Sequence, residues 1–284
     1  MAKSNKLIIC AALTGAVTPK EKSPYHPITP DEIAADVVKC AQAGAAAVHI
    51  HARDKDAKGT MDLRVFTEIF EKTKNACQTA GVDVIINLTT SGQMGASIEE
   101  KVAHIKALKP EMMSYDVGSF NWDDKWIYDN SPDFLRHAGK VALEYDVKPE
   151  IEVFDSGHIL SAGTYVKEGL LKAPCHYQFV LGVGGAMQGT VENIVFLRNM
   201  LPEGATWSAT GIGTYHLPVI FGALAAGCDG LRVGLEDNVY MSRGVKASNV
   251  ALVERTVQIA KLFGREIATA QEAREILGIT RRSW

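Results

Sequence analysis

The sequence lacks the features that mark membrane, nucleic-acid-binding and disulfide-linked proteins. None of its 284 residues belongs to an apolar run near the ~18 residues of a membrane span. The formal net charge is −3, so the chain carries no basic excess that would favour nucleic acid. Its five cysteines are odd in number and contain no Cys-x-x-Cys pair, which predicts reduced thiols in a cytoplasmic protein.

The first apolar run, residues 7–14, is short and is followed by Gly15 and by Pro-Lys-Glu-Lys at 19–22. Because no small-residue cleavage site accompanies it, we interpret it as a buried strand and not as a signal peptide. Thr29, Pro30 and Glu32 then form a capping signature that predicts a helix start. Gly44 is the expected end of that helix.

This strand and helix are the first of eight similar pairs. Eight such cycles in about 250 residues are typical of a TIM (β/α)8 barrel, whereas a doubly wound sheet rarely needs so many. We expect residues 1–284 to form one α/β domain, with an extra C-terminal helix over 269–277. The predicted strands lie near residues 7–14, 48–54, 83–90, 111–116, 149–155, 177–182, 206–210 and 230–237.

The second strand carries the segment Val-His-Ile-His-Ala-Arg-Asp at residues 48–54. Side chains two apart on a strand share a face, so His49 and His51 are predicted to point the same way. Two imidazoles at the C-terminal end of a barrel strand suit a divalent metal, above all zinc. The alternative is that both are hydrogen-bonded core histidines.

A carboxylate from the last strand is predicted to join the two histidines. Strand eight closes onto strand one, which neighbours strand two, so Glu236 can approach His49 and His51. Two histidines and one carboxylate leave open metal positions, as a catalytic metal requires. The alternative role for Glu236 is a helix cap or a surface carboxylate.

The loop after the sixth strand, residues 182–190, is rich in glycine and precedes a helix. The backbone N–H groups of Gly184 and Gly185 are candidates for binding the phosphates of a cofactor. The loop has neither the GxGxxG nor the Walker spacing, and a tight turn explains it almost equally well.

Several of these segments together resemble the beta-keto acid cleavage enzymes. The similarity covers nearly the whole chain, and the HxHxRD and VGxED segments are specific. It implies a zinc-dependent TIM barrel that condenses a beta-keto acid with acetyl-CoA, giving acetoacetate and a new acyl-CoA. It also implies a homo-oligomer, such as a tetramer. The resembling segments are residues 12–16, 27–33, 48–54, 87–92, 149–155 and 233–238.

The resemblance also implies roles for individual side chains. The metal ligands would be His49, His51 and Glu236, and Arg232 with Asp237 would serve the proton transfers. Two further catalytic positions fall on Thr89 and Glu152, with Glu150 as the alternative to Glu152. The remaining predicted substrate contacts, all near the ends of strands one and three, are Thr14, Val17, Asn87 and Thr90.

One position departs from the family pattern. A member of the family that acts on an amino-substituted substrate has a glutamate after Gly-Ala in its first loop, where it binds the ammonium group. This chain has Val17 there. An apolar side chain cannot compensate a buried cation, so a neutral or apolar beta-keto acid is expected.

Two other functions remain open from the sequence. A class II aldolase-like lyase or an amidohydrolase-like hydrolase could also use a His-x-His strand in a barrel. A non-catalytic metal-binding barrel is the third hypothesis, although it leaves the convergence of Arg232, Glu236 and Asp237 without a purpose. Turnover that depends on acetyl-CoA distinguishes the three.

Overall fold

Eight parallel strands form a closed barrel in the computed structural model, which describes residues 5–282. Each strand pairs with its neighbours in sequence, and β8 pairs with β1, with Ile8 opposite Gly230. The TIM-barrel prediction is therefore confirmed. The strands are β1 (Lys6–Ala12), β2 (Ala47–Ile50), β3 (Ile85–Leu88), β4 (Met112–Asp116), β5 (Lys148–Val153), β6 (His176–Leu181), β7 (Thr206–Gly211) and β8 (Gly230–Val233).

Within the described residues, eight α-helices alternate with these strands and a ninth follows the last pair, as predicted for the C-terminus. The helices are α1 (Pro30–Ala43), α2 (Leu63–Ala80), α3 (Ile98–Leu108), α4 (Pro132–Glu144), α5 (Ser156–Lys167), α6 (Val191–Met200), α7 (His216–Ala225), α8 (Asn249–Leu262) and α9 (Ala270–Leu277).

Local sequence explains where several helices begin and end. Thr29 accepts a hydrogen bond from the backbone N–H of Glu32, and the Glu32 carboxylate accepts one in return from the Thr29 N–H at 3.0 Å. This capping box satisfies backbone donors that a helix start leaves free. The same helix ends at Gly44, whose φ of 115° suits glycine.

Alternate residues of β1 pack into two different apolar clusters. Leu7 and Ile9 belong to the layer between strands and helices, whereas Ile8 and Cys10 face the barrel interior. The interior cluster continues into α9, which covers the N-terminal end of the barrel. Arg274 fixes α9 there through ion pairs that its Nη1 and Nε make with Asp83 and Glu111, at 2.7 and 2.6 Å.

Most of the predicted strands are shorter in the structure, and for two of them the difference concerns the site. β2 ends at Ile50 and β8 at Val233, so His51 and Glu236 both lie in the segments that follow their strands. The structure also contains three hairpins above the barrel that the sequence reading missed. They pair Ala52–Arg53 with Gly59–Thr60, Phe120–Trp122 with Trp126–Tyr128, and Tyr240–Ser242 with Val245–Lys246.

All five cysteines are free and buried, so packing explains them as predicted. No helix within residues 5–282 has the length and apolar character needed to cross a membrane.

Candidate metal and active site

The three predicted metal ligands meet at the C-terminal end of the barrel. Glu236 Oε1 lies 3.3 Å from His51 Nε2 and 3.7 Å from His49 Nε2. Two ligand atoms that each lie about 2.1 Å from a tetrahedral zinc ion are themselves about 3.4 Å apart. The spacing of these atoms therefore fits a shared metal ion.

Several polar atoms around this position are buried and have no hydrogen-bond partner. They include Nδ1 of His49, Nδ1 of His51 and Oε2 of Glu236. Glu150 and Glu152 also approach His49, and one ligand atom from each of these three residues lies within 4.8 Å of the others. The site is thus rich in ligand atoms whose hydrogen-bonding capacity is unused.

The first loop holds Glu236 in place. Gly15 has a φ of 57°, and a Cβ at this position would lie 2.8 Å from Cγ of Glu236. Arg53 fixes the loop by donating from Nε to the Gly15 carbonyl at 2.8 Å and from Nη2 to the Thr14 carbonyl at 3.0 Å. The sequence reading placed Arg53 in the histidine motif but gave it no role.

Arg232 connects three carboxylates at the barrel mouth. It donates from Nη1 to Glu152 Oε1 at 2.9 Å, from Nη2 to Glu236 Oε1 at 2.5 Å and from Nη2 to Asp237 Oδ1 at 2.9 Å. Its side chain is 2% exposed. One guanidinium therefore faces three carboxylates in a buried site. The predicted metal ligand Glu236 and the predicted acid–base residues belong to one network.

Burial and charge shift the pKa values of these groups in opposite directions. Burial lowers the pKa of His49 well below its ordinary value, so its imidazole is neutral. Burial disfavours ionisation of Glu236, but the charge of Arg232 is the largest opposing effect, and the pKa of Glu236 lies well below its usual range. Burial raises the pKa of Asp237, against the opposing charge of Arg232. Burial also raises the pKa of Glu152 well above its ordinary value.

The structure separates the two candidate glutamates of β5. Glu152 bonds to Arg232, whereas Glu150 Oε2 accepts a hydrogen bond from Asn87 Nδ2 at 2.6 Å. Burial raises the pKa of Glu150 to about 7. Glu152 is therefore the one that joins the Arg232 network.

Thr210 on β7 belongs to the site, although the sequence reading did not include it. Its hydroxyl donates to Asp237 Oδ2 at 2.9 Å. The signal was present in the sequence, because Ser208 and Thr210 are small polar residues at alternate positions of a buried strand.

The predicted catalytic residue Thr89 and two of the four predicted substrate contacts already have protein partners. Thr89 Oγ1 donates to the Ser91 carbonyl at 2.5 Å, and Thr90 Oγ1 donates to the Ser114 carbonyl at 3.1 Å. Asn87 binds Glu150, as described above. The Thr14 hydroxyl is buried without a partner, and Val17 is 63% exposed in the first loop.

The glycines of the β6–α6 loop accommodate a hairpin. A Cβ on Gly184 would lie 2.0 Å from Asp123 Oδ1, and one on Gly185 would lie 1.7 Å from the Asn121 carbonyl oxygen. The backbone N–H of Asp123 also donates to the Gly184 carbonyl at 2.9 Å. Close packing thus accounts for both glycines, and cofactor binding by this loop stays a prediction.

That hairpin, residues 120–128, covers part of the barrel mouth with an aromatic face. Phe120 packs on Phe154, which follows β5, with ring centroids 4.9 Å apart. Tyr128 donates its hydroxyl to Asp116 Oδ2 at 2.5 Å and approaches Ser91 Oγ at 2.7 Å. Tyr128 was not among the residues predicted from the sequence.

Comparison with known proteins agrees with this geometry. A family model described as beta-keto acid cleavage enzyme matches residues 6–279. The chain is 41% identical to the 3-keto-5-aminohexanoate cleavage enzyme of Fusobacterium nucleatum subsp. nucleatum, over 96% of this chain and 98% of that protein. It is 31% identical to the 3-dehydrocarnitine:acetyl-CoA trimethylamine transferase of Rhizobium meliloti, over 99% of both chains.

Among solved structures, the chain is similar to ObcA, seen in a ternary complex with a C4-CoA adduct and oxalate. The TM-score is 0.76 at 23% identity, and the match covers 90% of this chain and 68% of ObcA. At this identity the likeness supports the barrel fold alone.

Proposed function

Because this chain belongs to the beta-keto acid cleavage enzyme family, we propose that it is a zinc-dependent enzyme acting on a beta-keto acid and acetyl-CoA. It is a CoA-dependent enzyme of the acyltransferase type, because other relatives are named as transferases that use acetyl-CoA, one of them an acetyltransferase. The products proposed are acetoacetate and a new acyl-CoA. The observation that carries this proposal is the convergence of His49, His51 and Glu236 beside the Arg232 network.

Three properties of this group favour a divalent metal. The spacing of its ligand atoms suits tetrahedral zinc, and burial keeps His49 neutral, as a ligand must be. Arg232 offsets only one of the three carboxylates it contacts. Zinc held by His49, His51 and Glu236 would supply a Lewis acid that favours loss of a proton from the alpha carbon of the substrate.

Asp237 is the proposed base for that proton. Arg232 and Thr210 fix both of its oxygens, so the carboxylate has a single orientation. Burial raises the pKa of Asp237 and makes it a stronger base than an exposed aspartate. Glu152, held by the same guanidinium, is the next candidate.

The reaction balances as an exchange between two acyl groups. The alpha carbon of the beta-keto acid attacks the acetyl thioester, and CoA leaves as a thiolate. The thiolate then attacks the original keto carbon, and cleavage of the neighbouring carbon–carbon bond releases acetoacetate, which regains a proton. The unpartnered Thr14 hydroxyl would stabilise the oxyanions that form, and Thr89 would do so by turning its hydroxyl away from the Ser91 carbonyl.

Substrate preference is proposed from the first loop. Val17 stands where an amino-specific relative has a glutamate, so the distal end of the substrate should be uncharged, as in 3-oxopentanoate or 3-oxohexanoate. A methylene buried against Val17 would favour binding by ~0.8 kcal/mol, whereas a buried ammonium without a partner would be unfavourable.

The experiment is a screen of beta-keto acids with acetyl-CoA in which acetoacetate is detected. We expect acetoacetate only when both substrates are present, with a larger kcat/KM for 3-oxohexanoate than for its 5-amino analogue. Cleavage without CoA would instead support a lyase or hydrolase. A preference for the amino compound would show that Val17 does not select the substrate.

A further inference from the structure

Two side chains that follow β7 and β8 carry buried nitrogen atoms, the buried His216 and the partly buried Arg255. His216, the first residue of α7, is 3% exposed, and neither of its ring nitrogens has a hydrogen-bond partner. Arg255 in α8 donates from Nη1 to the Met241 carbonyl at 2.6 Å, but its Nε and Nη2 are buried without a partner. Four nitrogen atoms are therefore enclosed without an acceptor or donor opposite them.

The positive charge of Arg255 acts on His216. Burial and the charge of Arg255 lower the pKa of His216 to about 4. Burial lowers the pKa of Arg255, and no carboxylate contributes to the shift of either residue. Burial of Nε and Nη2 without a partner is unfavourable, because these atoms have lost water and gained no acceptor.

The position in the barrel suggests what the missing partner is. Loops after strands seven and eight of TIM barrels frequently bind phosphate groups, often with a short extra helix. Here a short 3-10 helix, Gly213–Tyr215, precedes α7, and the hairpin Tyr240–Lys246 leads toward α8. The N–H of Gly213 donates to the Asp237 carbonyl at 2.9 Å, which joins the two loops.

We propose that Arg255 and His216 form an oxyanion site for a phosphate group, supplied either by CoA or by free inorganic phosphate. Nε and Nη2 of Arg255 form a fork that matches two oxygens of such a group. The N–H of the neutral His216 imidazole supplies a third donor. Neither residue hydrogen-bonds to the Arg232 network. The site therefore suits a phosphate group of CoA that lies away from the thioester. The choice of CoA as the molecule that supplies the phosphate rests on the proposed function, whereas the oxyanion site itself does not.

Thermal unfolding of the purified protein tests the site without any turnover. Inorganic phosphate, exchanged for chloride at equal ionic strength, should raise the Tm of the wild type by about 5 °C at a hundredfold excess over its Kd. Arg255→Met and His216→Phe should lose this rise. The control Arg198→Met removes an exposed arginine of α6 and should respond as the wild type does.

Calorimetric titration with CoA then distinguishes the two sources. If CoA supplies the phosphate, Arg255→Met should weaken CoA binding about tenfold or more, and free phosphate should compete with CoA. If free phosphate is the ligand, CoA binding stays unchanged and the phosphate-dependent rise in Tm is still lost. The proposal is overturned if Arg255→Met responds to phosphate and to CoA as the wild type does. Because each readout is binding, failure of the catalytic proposal would leave this result interpretable.

Discussion

Arg232 donates two hydrogen bonds to Asp237, from Nε to Oδ2 at 3.0 Å and from Nη2 to Oδ1 at 2.9 Å. Thr210 adds a third bond to the same carboxylate at 2.9 Å. These hydrogen bonds restrict rotation of the carboxylate, so it can accept a proton from one direction only. The pair therefore connects the metal ligand Glu236, which Arg232 also contacts, to the proposed base.

The base can be tested with Asp237→Asn. The amide keeps the size of the side chain but cannot take the proton, so kcat should fall by ~10²-fold or more. Zinc content should not change, because Asp237 is not among the proposed ligands. Steady-state kinetics and metal analysis measure both. Wild-type turnover in this variant would move the role of base to Glu152.

The metal site can be tested with His51→Ala. Removing one of three ligands should release zinc and abolish activity, while the far-ultraviolet circular dichroism spectrum stays that of the wild type. His137→Ala is the matched control, because His137 lies partly exposed on α4 and outside the site. Mass spectrometry should find about one zinc per chain in the control, as in the wild type. Full zinc occupancy in His51→Ala would remove His51 from the site.

Gly15 provides a separate test of how the chain positions Glu236. Gly15→Ala forces a Cβ to within 2.8 Å of Glu236 Cγ at a φ of 57°, whereas Gly81→Ala meets nothing within 4 Å at a φ of 64°. Both should lose about 1 kcal/mol of unfolding free energy through the left-handed backbone. Only Gly15→Ala should also raise the Kd for zinc, measured with a competing chelator. Equal zinc affinity in the two variants would contradict the contact between Gly15 and Glu236.

Much of the fold could be predicted because its signals are local. Thr29 and Glu32 cap α1, and Ser97 and Glu100 cap α3, each within four consecutive residues. The hairpin at 120–128 was missed because its turn uses Asp123 and Asp124, with φ of 51° and 54°, in place of the usual glycine-containing pair. Its alternating aromatic residues were the available signal.

The candidate site was predictable where barrel geometry alone brings residues together. His49 and His51 share a short segment, and strand order places Glu236 beside them. Partners that depend on side-chain conformation could not be predicted in the same way. The contact of Thr210 with Asp237 and the unpartnered Nε and Nη2 of Arg255 follow from rotamers and loop paths that the sequence pattern does not encode.

The buried Glu150 predicts a pH dependence of stability. Burial raises its pKa from 4.5 to about 7, so the folded state favours the protonated form. The contribution of protonated Glu150 to the free energy of unfolding is complete below the pKa of the unfolded state. It is lost as the pH rises through the pKa of the folded state. Relative to Glu150→Gln, the wild type should therefore lose on the order of 3 kcal/mol between about pH 4.5 and 7, and little more above that range.

Denaturant titrations across this pH range measure the difference. Glu254→Gln, which alters an exposed glutamate of α8, is the control for the loss of one carboxyl group outside the barrel. A pH-independent difference between the wild type and Glu150→Gln would show that Glu150 does not titrate as described.

The most direct test of the proposed exchange follows the acetyl group of acetyl-CoA. The wild type is incubated with a beta-keto acid and with acetyl-CoA that carries ¹³C at both acetyl carbons, and the products are analysed by NMR. The account predicts label at the third and fourth carbons of acetoacetate and an unlabelled acyl-CoA derived from the keto acid. Labelled free acetate, or acetoacetate without label, would contradict it.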